Sequence, residues 1–219
     1  MGKIVHLDKV RVFLKETPVF RTRDIELLAG SRGYACLTLH NLVRRGEIRR
    51  VTKGWYSSLE DPIVSVFCFK PAYLGLQEAL SLHGLWEQET NVVIVTTRKV
   101  RTGVKNLLDS NVILHRIKQK YFFGFSLLKY ENFFIPVSDV EKTLIDLVYF
   151  NEIPGRDVLE EIRRQIDKEK FAEYLKVFPQ TFKRRVQDLM TLEQGDIPKQ
   201  QGTSMQSRRL RVPSRSSLQ

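Results

Sequence analysis

The order of short elements in residues 22–56 constrains this chain more than any other stretch of its sequence. Thr22 is suited to cap a short helix that ends at Gly30, where a turn with positive φ is expected. Ser31 can cap a longer helix, whose apolar spacing continues until Gly46 stops it. The result is a short helix followed directly by a longer helix that carries many basic residues.

A compact basic hairpin follows the longer helix. Strands are expected at 48–51 and 55–56, and the glycine in the turn at 52–54 supplies the positive φ of a tight turn. Trp55 is expected to pack back onto the longer helix. Helix, turn, basic helix and basic hairpin are the parts of a winged helix-turn-helix, which places its second helix in the major groove of duplex DNA.

The outward face of the longer helix and the hairpin carry the expected DNA contacts. Ala35, Leu39 and Leu42 recur at spacings of 4 and 3, so they face the core and the opposite face is directed outward. The predicted DNA-binding residues are Ser31, Arg32, Tyr34, Thr38, Asn41, Arg44, Arg45, Arg49, Arg50 and Lys53. For each single residue, the alternative is that it simply faces solvent. For the N-terminal domain, the alternative is a winged helix that binds a protein instead of DNA.

The distribution of charge favours a polyanionic partner for the N-terminal segment. The chain of 219 residues has a formal net charge of +11, and residues 1–60 hold 12 Lys and Arg against 6 Asp and Glu. Residues 61–190 hold 19 against 17, so the middle of the chain is nearly neutral. Such asymmetry is typical of a domain that binds nucleic acid, although a basic surface kept for solubility is the alternative.

The predicted fold class is α+β (mixed α/β), with an N-terminal winged helix-turn-helix, a mixed α/β domain and C-terminal helices. The domains are expected at 1–60, 63–150 and 151–192, followed by a disordered basic tail at 193–219. The first domain begins with a helix at about 6–16. The C-terminal helices are amphipathic and are expected to pack on the second domain or in a dimer contact.

Apolar patterning predicts the elements of the second domain. A buried strand or packed extended segment is expected at 63–69, and a helix at 72–82. Strands are expected at 91–97, 112–117 and 133–137, where β-branched and aromatic residues are frequent. The first of these three is assigned to the centre of a sheet.

No catalytic residue, cofactor or metal site is predicted. The 4 histidines lie far apart, and no Walker A, GxGxxG or HExxH pattern occurs. The closest group of carboxylates is Asp139, Glu141 and Asp146. Asp139 and Glu141 are explained by capping and by the helix dipole at the start of a helix, where Ser138 and Glu141 are expected to form a capping box.

Three further features are read from residue type and context. The basic loop with Arg98, Lys99 and Arg101 either contacts a nucleic acid or an acidic partner or is simply solvated. Cys36 and Cys68 lie among apolar residues and are interpreted as packing thiols. No apolar run is long enough to span a bilayer and no signal peptide is recognised, so a cytoplasmic location without a membrane partner is expected.

Five sequence blocks, taken in order, carry a further signal. They are GSRGYACLTLHNLVRRGEIRRVTKGWYS, PAYLGLQEALSLHGLWEQ, NVVIVTTRKVRTG, FFGF and IPVSDVEKTLIDLVYF. In this order, over about residues 20–150, the chain resembles the AbiEi-type antitoxins, the repressor component of type IV toxin–antitoxin operons. The specificity of the resemblance comes from the order of the blocks rather than from one invariant string.

The resemblance implies a repressor that binds inverted repeats of double-stranded DNA in its own promoter, with a homodimer on the DNA as one arrangement. It also implies a nucleotidyltransferase-like toxin as functional partner, without a stable complex between the two proteins. It places DNA contacts on Arg32, Tyr34, Arg49 and Arg50. Candidates for opposing the toxin are the Arg98–Arg101 loop, Glu141 and Lys142. The alternative is a nucleic-acid-processing enzyme or an adaptor that a winged helix directs to DNA.

Overall fold

The N-terminal helices close a small core under a short sheet. A computed structural model describes residues 2–191, so the tail predicted at 193–219 lies outside the described residues. The first elements are α1 (Gly2–Glu16), β1 (Phe20–Arg21), α2 (Thr22–Ala29), α3 (Arg32–Arg44), β2 (Arg49–Thr52) and β3 (Trp55–Ser57). The strands pair antiparallel in the order β1-β3-β2, and buried residues of all three helices pack together. We call residues 2–57 the N-terminal unit.

The turn between α2 and α3 forms as the glycine predicts. Gly30 adopts a φ of 70°, and its N–H donates to the Glu26 carbonyl at 2.8 Å. The predicted cap is wrong by one residue, because Thr22 lies within the first turn of α2 and Arg21 is the N-cap. The Arg21 N–H donates to the Asp24 carboxylate at 2.7 Å, which satisfies a backbone donor at the start of the helix.

A sheet of six strands forms the centre of the molecule. Its strands are β4 (Ala72–Leu74), β5 (Val92–Thr96), β6 (Gly103–Leu107), β7 (Ser110–Arg116), β8 (Phe125–Tyr130) and β9 (Phe133–Ser138). They lie in the order β6-β7-β5-β4-β9-β8. β5 is parallel to β7 and antiparallel to β4, while β4 is parallel to β9. The stretch assigned to the centre of the sheet therefore is a central strand.

Different layers cover the two faces of this large sheet. One face packs against α4 (Leu76–Leu82), α5 (Val140–Phe150), α6 (Arg156–Gln165), α7 (Lys168–Leu175) and α8 (Gln180–Thr191). The other face packs against the 3-10 helix Pro62–Phe69 and against Val19 and Val51 of the N-terminal unit. The fold is α+β, as predicted. Between residues 2 and 191, no helix is long and apolar enough to cross a membrane.

Two predicted elements have a different conformation. Residues 63–69 form most of the 3-10 helix rather than a strand, because Pro62 starts a helical turn and the Asp61 carboxylate accepts from the Ile63 N–H at 2.9 Å. The first residues of the helix predicted at 72–82 instead form β4, which pairs with two neighbouring strands. The strands β6 and β8 are absent from the prediction. Both lie at the ends of the strand order, and their residues are mostly exposed.

Asp139, rather than the predicted box of Ser138 and Glu141, caps α5. The Asp139 carboxylate accepts from the Lys142 N–H at 2.8 Å. Ser138 is the fully buried last residue of β9. The Glu141 carboxylate turns away from the cap and accepts from the Asp167 N–H at 2.9 Å. The capping box is therefore wrong, and Glu141 connects α5 to the start of α7.

Gly124 provides a test of the contact between β8, α5 and α7. Its φ is 69°, and an added Cβ would lie 2.8 Å from Lys142 Cβ and 2.9 Å from the Tyr174 ring. Gly124→Ala is expected to lower the free energy of unfolding by about 2–4 kcal/mol, from backbone strain and overpacking together.

Gly84→Ala is the matched control, because Gly84 has a φ of 72° but open space around it. It should cost only about 1 kcal/mol from backbone strain. Urea unfolding of both variants measures the difference. Equal losses for the two variants would contradict the proposed steric conflict at Gly124.

Candidate nucleic-acid interface

The outward face of α3 is the one that apolar spacing predicts. Ala35, Leu39 and Leu42 are at most 2% exposed and pack in the core of the N-terminal unit. Ser31 is the N-cap of α3 by its extended backbone, without a side-chain capping hydrogen bond. The exposed residues on the other side of the helix are Arg32, Gly33, Cys36, Leu37, His40, Asn41 and Arg44.

Two side chains of α3 differ in exposure from what their predicted roles require. Thr38, predicted as a DNA contact, is only 6% exposed. Cys36 is exposed, so its predicted packing role is wrong. Cys68 is buried as predicted, and burial raises the pKa of its thiol to about 12, although the nearby charges of Arg21 and Arg98 lower it.

The remaining predicted residues near α3 differ in their surroundings. Arg45 Nη1 lies 3.7 Å from the Glu47 carboxylate, which gives this guanidinium an acidic neighbour on the surface. Tyr34 is half-buried. Arg44 and Asn41 are exposed, and Arg44 has no ion pair among the described residues. Arg44 is therefore the better placed of the two final arginines for an anionic partner.

An open groove of about 510 Å³ lies beside the start of α3. Its lining residues are Arg21, Thr22, Arg23, Glu26, Leu27, Arg32 and Gly54. Three arginines, from β1, α2 and α3, thus line one concave surface next to the hairpin turn, together with the acidic Glu26. Arg21 and Arg23 are absent from the predicted residues, and their signal in the sequence is only the basic run RTR at the start of α2.

Trp55 lies beside this groove and packs differently from the prediction. It pairs in register with Arg21, whose guanidinium lies 4.0 Å from the centre of the Trp55 ring. The ring packs with Val19 and Val51 in the core between the N-terminal unit and the large sheet. Tyr56 instead packs against the core that contains α3. The prediction that Trp55 packs onto α3 is therefore wrong.

The basic residues of the hairpin have three different environments. Arg49 lies at its base and forms ion pairs with Asp109, in the turn between β6 and β7, and with Glu60 at 3.7 Å. Arg50 is exposed. Lys53 is exposed at the turn, without an ion pair among the described residues. Arg49, predicted as a DNA contact, thus has two acidic partners at the surface, whereas Arg50 and Lys53 face solvent.

The residues predicted as possible contacts to a second partner have different surroundings. Arg98, Lys99 and Arg101 are exposed, and Arg98 Nη1 donates to the Cys68 carbonyl at 2.9 Å. Glu141 is 4% exposed, and its carboxylate lies 2.9 Å from Lys170 Nζ. Burial raises the pKa of Glu141, but the hydrogen bonds from Lys170 and the Asp167 N–H outweigh it and lower the pKa.

Lys142 is completely buried, so its side chain is not accessible to a partner. Its ammonium group pairs with Asp146, which is also completely buried. The Tyr73 hydroxyl donates to the second oxygen of Asp146 at 2.7 Å. Burial lowers the pKa of Lys142 and raises the pKa of Asp146, while the opposite charge of each partner acts against these shifts. In the part of the chain that the structure describes, no cluster of side chains is suited to hold a metal ion.

Comparison with known proteins agrees with the predicted resemblance. Residues 10–58 match the family described as "Transcriptional regulator, AbiEi antitoxin", so the resemblance to this family is confirmed over most of the N-terminal unit. The crystal structure of the RV2827C protein from Mycobacterium tuberculosis has a similar fold. Its TM-score is 0.58 at 15% identity, over 85% of this chain and 76% of that chain. No curated protein matches the chain.

The buried pair of Lys142 and Asp146 yields a stability prediction. Lys142→Met should lower the free energy of unfolding by about 3–5 kcal/mol, because it leaves a buried carboxylate without its counter-charge. Adding Asp146→Asn should recover most of this loss, since the amide oxygen can still accept from Tyr73 and no charge is left. Chemical unfolding at neutral pH measures both variants.

Lys176→Met is the control for removing a paired lysine. Lys176 pairs with Glu173 at the surface, where such pairs contribute at most about 1 kcal/mol. A double variant at Lys142 and Asp146 that is less stable than Lys142→Met alone would contradict the charge-pair explanation.

Proposed function

We propose that this chain is a sequence-specific DNA-binding transcriptional regulator whose N-terminal unit is a winged helix-turn-helix. The observation that carries the proposal is the groove in which Arg21, Arg23 and Arg32 meet beside the hairpin turn. The match of residues 10–58 to a family of transcriptional regulators supports it. A regulatory family also favours this role over a nucleic-acid-processing enzyme.

In this proposal α3 enters the major groove with its first turn closest to the bases. Arg32 opens the helix, and its planar guanidinium can donate two hydrogen bonds to the O6 and N7 atoms of guanine. Leu37, 56% exposed on the same outward face, offers an apolar contact to a thymine methyl group. Asn41 and Arg44 follow along the helix, where Arg44 contacts backbone phosphates.

The groove and the hairpin position the protein on the DNA backbone. The Arg21 guanidinium lies over the Trp55 ring, so less of its side-chain freedom is lost when it binds a phosphate. Arg23 lies within the same groove. Lys53 and Arg50 extend along the hairpin toward phosphates or the adjacent minor groove. These contacts do not depend on the DNA sequence, and they supply most of the salt-dependent part of the affinity.

We extend the proposal to an antitoxin that represses its own operon in the cytoplasm. Its operator would be inverted repeats bound by two copies of the chain, and its functional partner a nucleotidyltransferase-like toxin without a stable complex. The family match supports the regulator and antitoxin role in general. Glu141 and Lys142 are buried, so they would contribute to toxin neutralisation only by holding α5 in place. Any direct contact with the toxin would be made by exposed residues.

The base-reading role of Arg32 is tested with Arg32→Ala. Binding to the DNA upstream of the gene should weaken by about 1–3 kcal/mol, while binding to scrambled DNA should change little. Fluorescence anisotropy at one salt concentration measures both affinities. The control is Arg164→Ala, on α6 in the helical layer. Equal losses on the two DNAs would contradict a base contact of Arg32.

The phosphate contacts of the hairpin are tested by salt titration. The affinity of the unaltered protein should fall as salt rises, because each neutralised phosphate contributes about −0.9 to the slope of log affinity against log salt. Arg50→Ala should weaken binding to all duplexes similarly. It should also make the salt slope shallower by about 0.9, the contribution of one phosphate contact. Affinity that does not change with salt would exclude this mode of DNA binding.

A further inference from the structure

The outer side of β8 is a part of the large sheet that the chain itself leaves without a partner. β8 is the last strand in the order of the sheet, and on its inner side it pairs antiparallel with β9. Among residues 2–191, no strand lies beyond it. The N–H and C=O groups along such an edge form a template on which another strand can pair.

The pairing with β9 decides which main-chain groups of β8 point to the free side. Gly124, which precedes β8, accepts at its carbonyl from the N–H of Asp139, which follows β9, at 3.0 Å. Hydrogen-bonded and non-hydrogen-bonded pairs alternate along an antiparallel ladder. Every second residue from Gly124 therefore bonds to β9, while Phe125, Leu127 and Lys129 direct their N–H and C=O groups outward.

The side chains of these three residues lie on the face of the sheet that the helices cover, but the helices leave this corner open. Leu127 is 67% exposed, and Phe134 in the neighbouring strand β9 is 57% exposed. Phe125 is also exposed, although its ring stacks on that of Tyr73 with 5.1 Å between the ring centres. An exposed apolar patch beside unpaired main-chain groups is typical of an association site.

β8 lacks the features that usually prevent edge strands from pairing with other chains. It contains no proline, and its pairing with β9 has no register shift. Only one of its six residues, Lys129, is charged. Edge strands that must stay unpaired are usually interrupted by proline, bulges or several charges. The edge of β8 is therefore suited to accept a further strand.

The surroundings of β8 carry almost no net charge. Residues 121–138 contain 1 Lys and 1 Glu, whereas the whole chain has a formal net charge of +11. A nucleic acid or a strongly charged protein gains little electrostatic attraction at such a surface. Two copies of this basic chain, in contrast, can approach each other here without bringing many like charges together. The distribution of charge thus favours a second copy as the partner.

We propose that two copies of this chain form a symmetric dimer in which their β8 strands pair antiparallel about Leu127. This inference rests on the proposed function for its choice of a second copy, because inverted repeats are bound by two copies related by a two-fold axis. The large sheets of the two copies then form one continuous sheet.

A pairing centred on Leu127 uses all the outward main-chain groups of the edge. Leu127 then opposes Leu127 of the other copy, and Phe125 of each copy opposes Lys129 of the other, so all three residues form hydrogen-bonded pairs. The two leucines make an apolar contact at the axis. Each Lys129 lies between its own Phe134, its register partner in β9, and Phe125 of the other copy, where its ammonium group can contact aromatic rings.

The symmetry also places both N-terminal units on the same side of the continuous sheet. The two-fold axis of an antiparallel pair within a sheet is perpendicular to the sheet, so both copies present the same face in the same direction. The N-terminal unit packs through Val19 and Val51 on the face that holds Leu128, opposite to the side chain of Leu127. The two units therefore lie on one side, as binding to a single duplex with inverted repeats requires.

Charge substitutions at the axis test this register in the full-length chain. Leu127→Asp and Leu127→Lys each bring two like charges face to face, so each variant alone should raise the dissociation constant of the dimer by about tenfold or more. A mixture of the two variants places opposite charges across the axis and should restore dimers that contain one copy of each. Sedimentation velocity, with one variant carrying a fluorescent label, measures both results.

Val104→Asp and Val104→Lys are the matched controls. Val104 is 65% exposed on β6, the edge strand at the other end of the sheet. Both controls should dimerise as the unaltered protein does, alone and when mixed. Circular dichroism melting of all four variants ensures that association is compared between equally folded proteins, since both positions are exposed.

DNA binding separates this inference from the proposed function. Leu127→Asp should bind a duplex with a single repeat as tightly as the unaltered protein does. On a duplex with both repeats, the unaltered protein should occupy the two repeats together, whereas Leu127→Asp should occupy them independently. Fluorescence anisotropy and gel shifts measure these affinities and the number of copies bound.

An unaltered protein that stays monomeric both in solution and on a duplex with two repeats would overturn the dimer while leaving DNA binding intact. Leu127 variants that dimerise as well as the Val104 controls would overturn it too, because the contact would then lie elsewhere. A mixture of Leu127→Asp and Leu127→Lys that stays monomeric would exclude the pairing about Leu127. If the unaltered protein does not bind the single repeat, the proposed function itself fails.

Discussion

The apolar contact between the N-terminal unit and the large sheet is the interaction on which the rest of the structure depends. Val19, Val51 and Trp55 bury their side chains against the 3-10 helix and one face of the sheet. Strands of two to four residues cannot close a two-sided core alone, and burial of apolar area is the main driving force for such packing. This contact fixes where the groove of arginines lies relative to the carboxyl ends of β5 and β7.

On the opposite face of the sheet, the apolar layer of helices encloses a set of polar contacts. Lys142, Asp146 and Tyr73 form a fully buried network under the helices. A buried ion pair seldom stabilises a fold more than apolar residues of the same volume, but loss of one partner leaves an uncompensated charge in the core. Glu141, next to Lys142, accepts from the Asp167 N–H and so connects α5 to the start of α7.

The elements that the sequence predicts correctly depend on residues that are close together in the sequence. The errors arise where a conformation depends on contacts between residues far apart in the sequence. Gly30 and the spacing of Ala35, Leu39 and Leu42 are sufficient to define the turn and the core face of α3, because both depend on residues within two helical turns. The ion pair of Arg49 with Asp109 has no signal in the local sequence, because the two residues are 60 positions apart. Strands β6 and β8 lie at the edges of the sheet and each pairs with one neighbour, so their strand conformation depends on pairing with a distant or adjacent segment rather than on burial.

By itself, the sequence determined the fold class, the succession of helix, turn, basic helix and hairpin, and the concentration of positive charge near the N-terminus. Each follows from residue type and short-range periodicity. Only the tertiary structure decided which cations share a surface. Arg21, Arg23 and Arg32 meet because β1 pairs with the hairpin, and residues 98–101 join 116–120 because parallel strands end at the same edge. Both depend on pairing between distant segments, which no local pattern encodes.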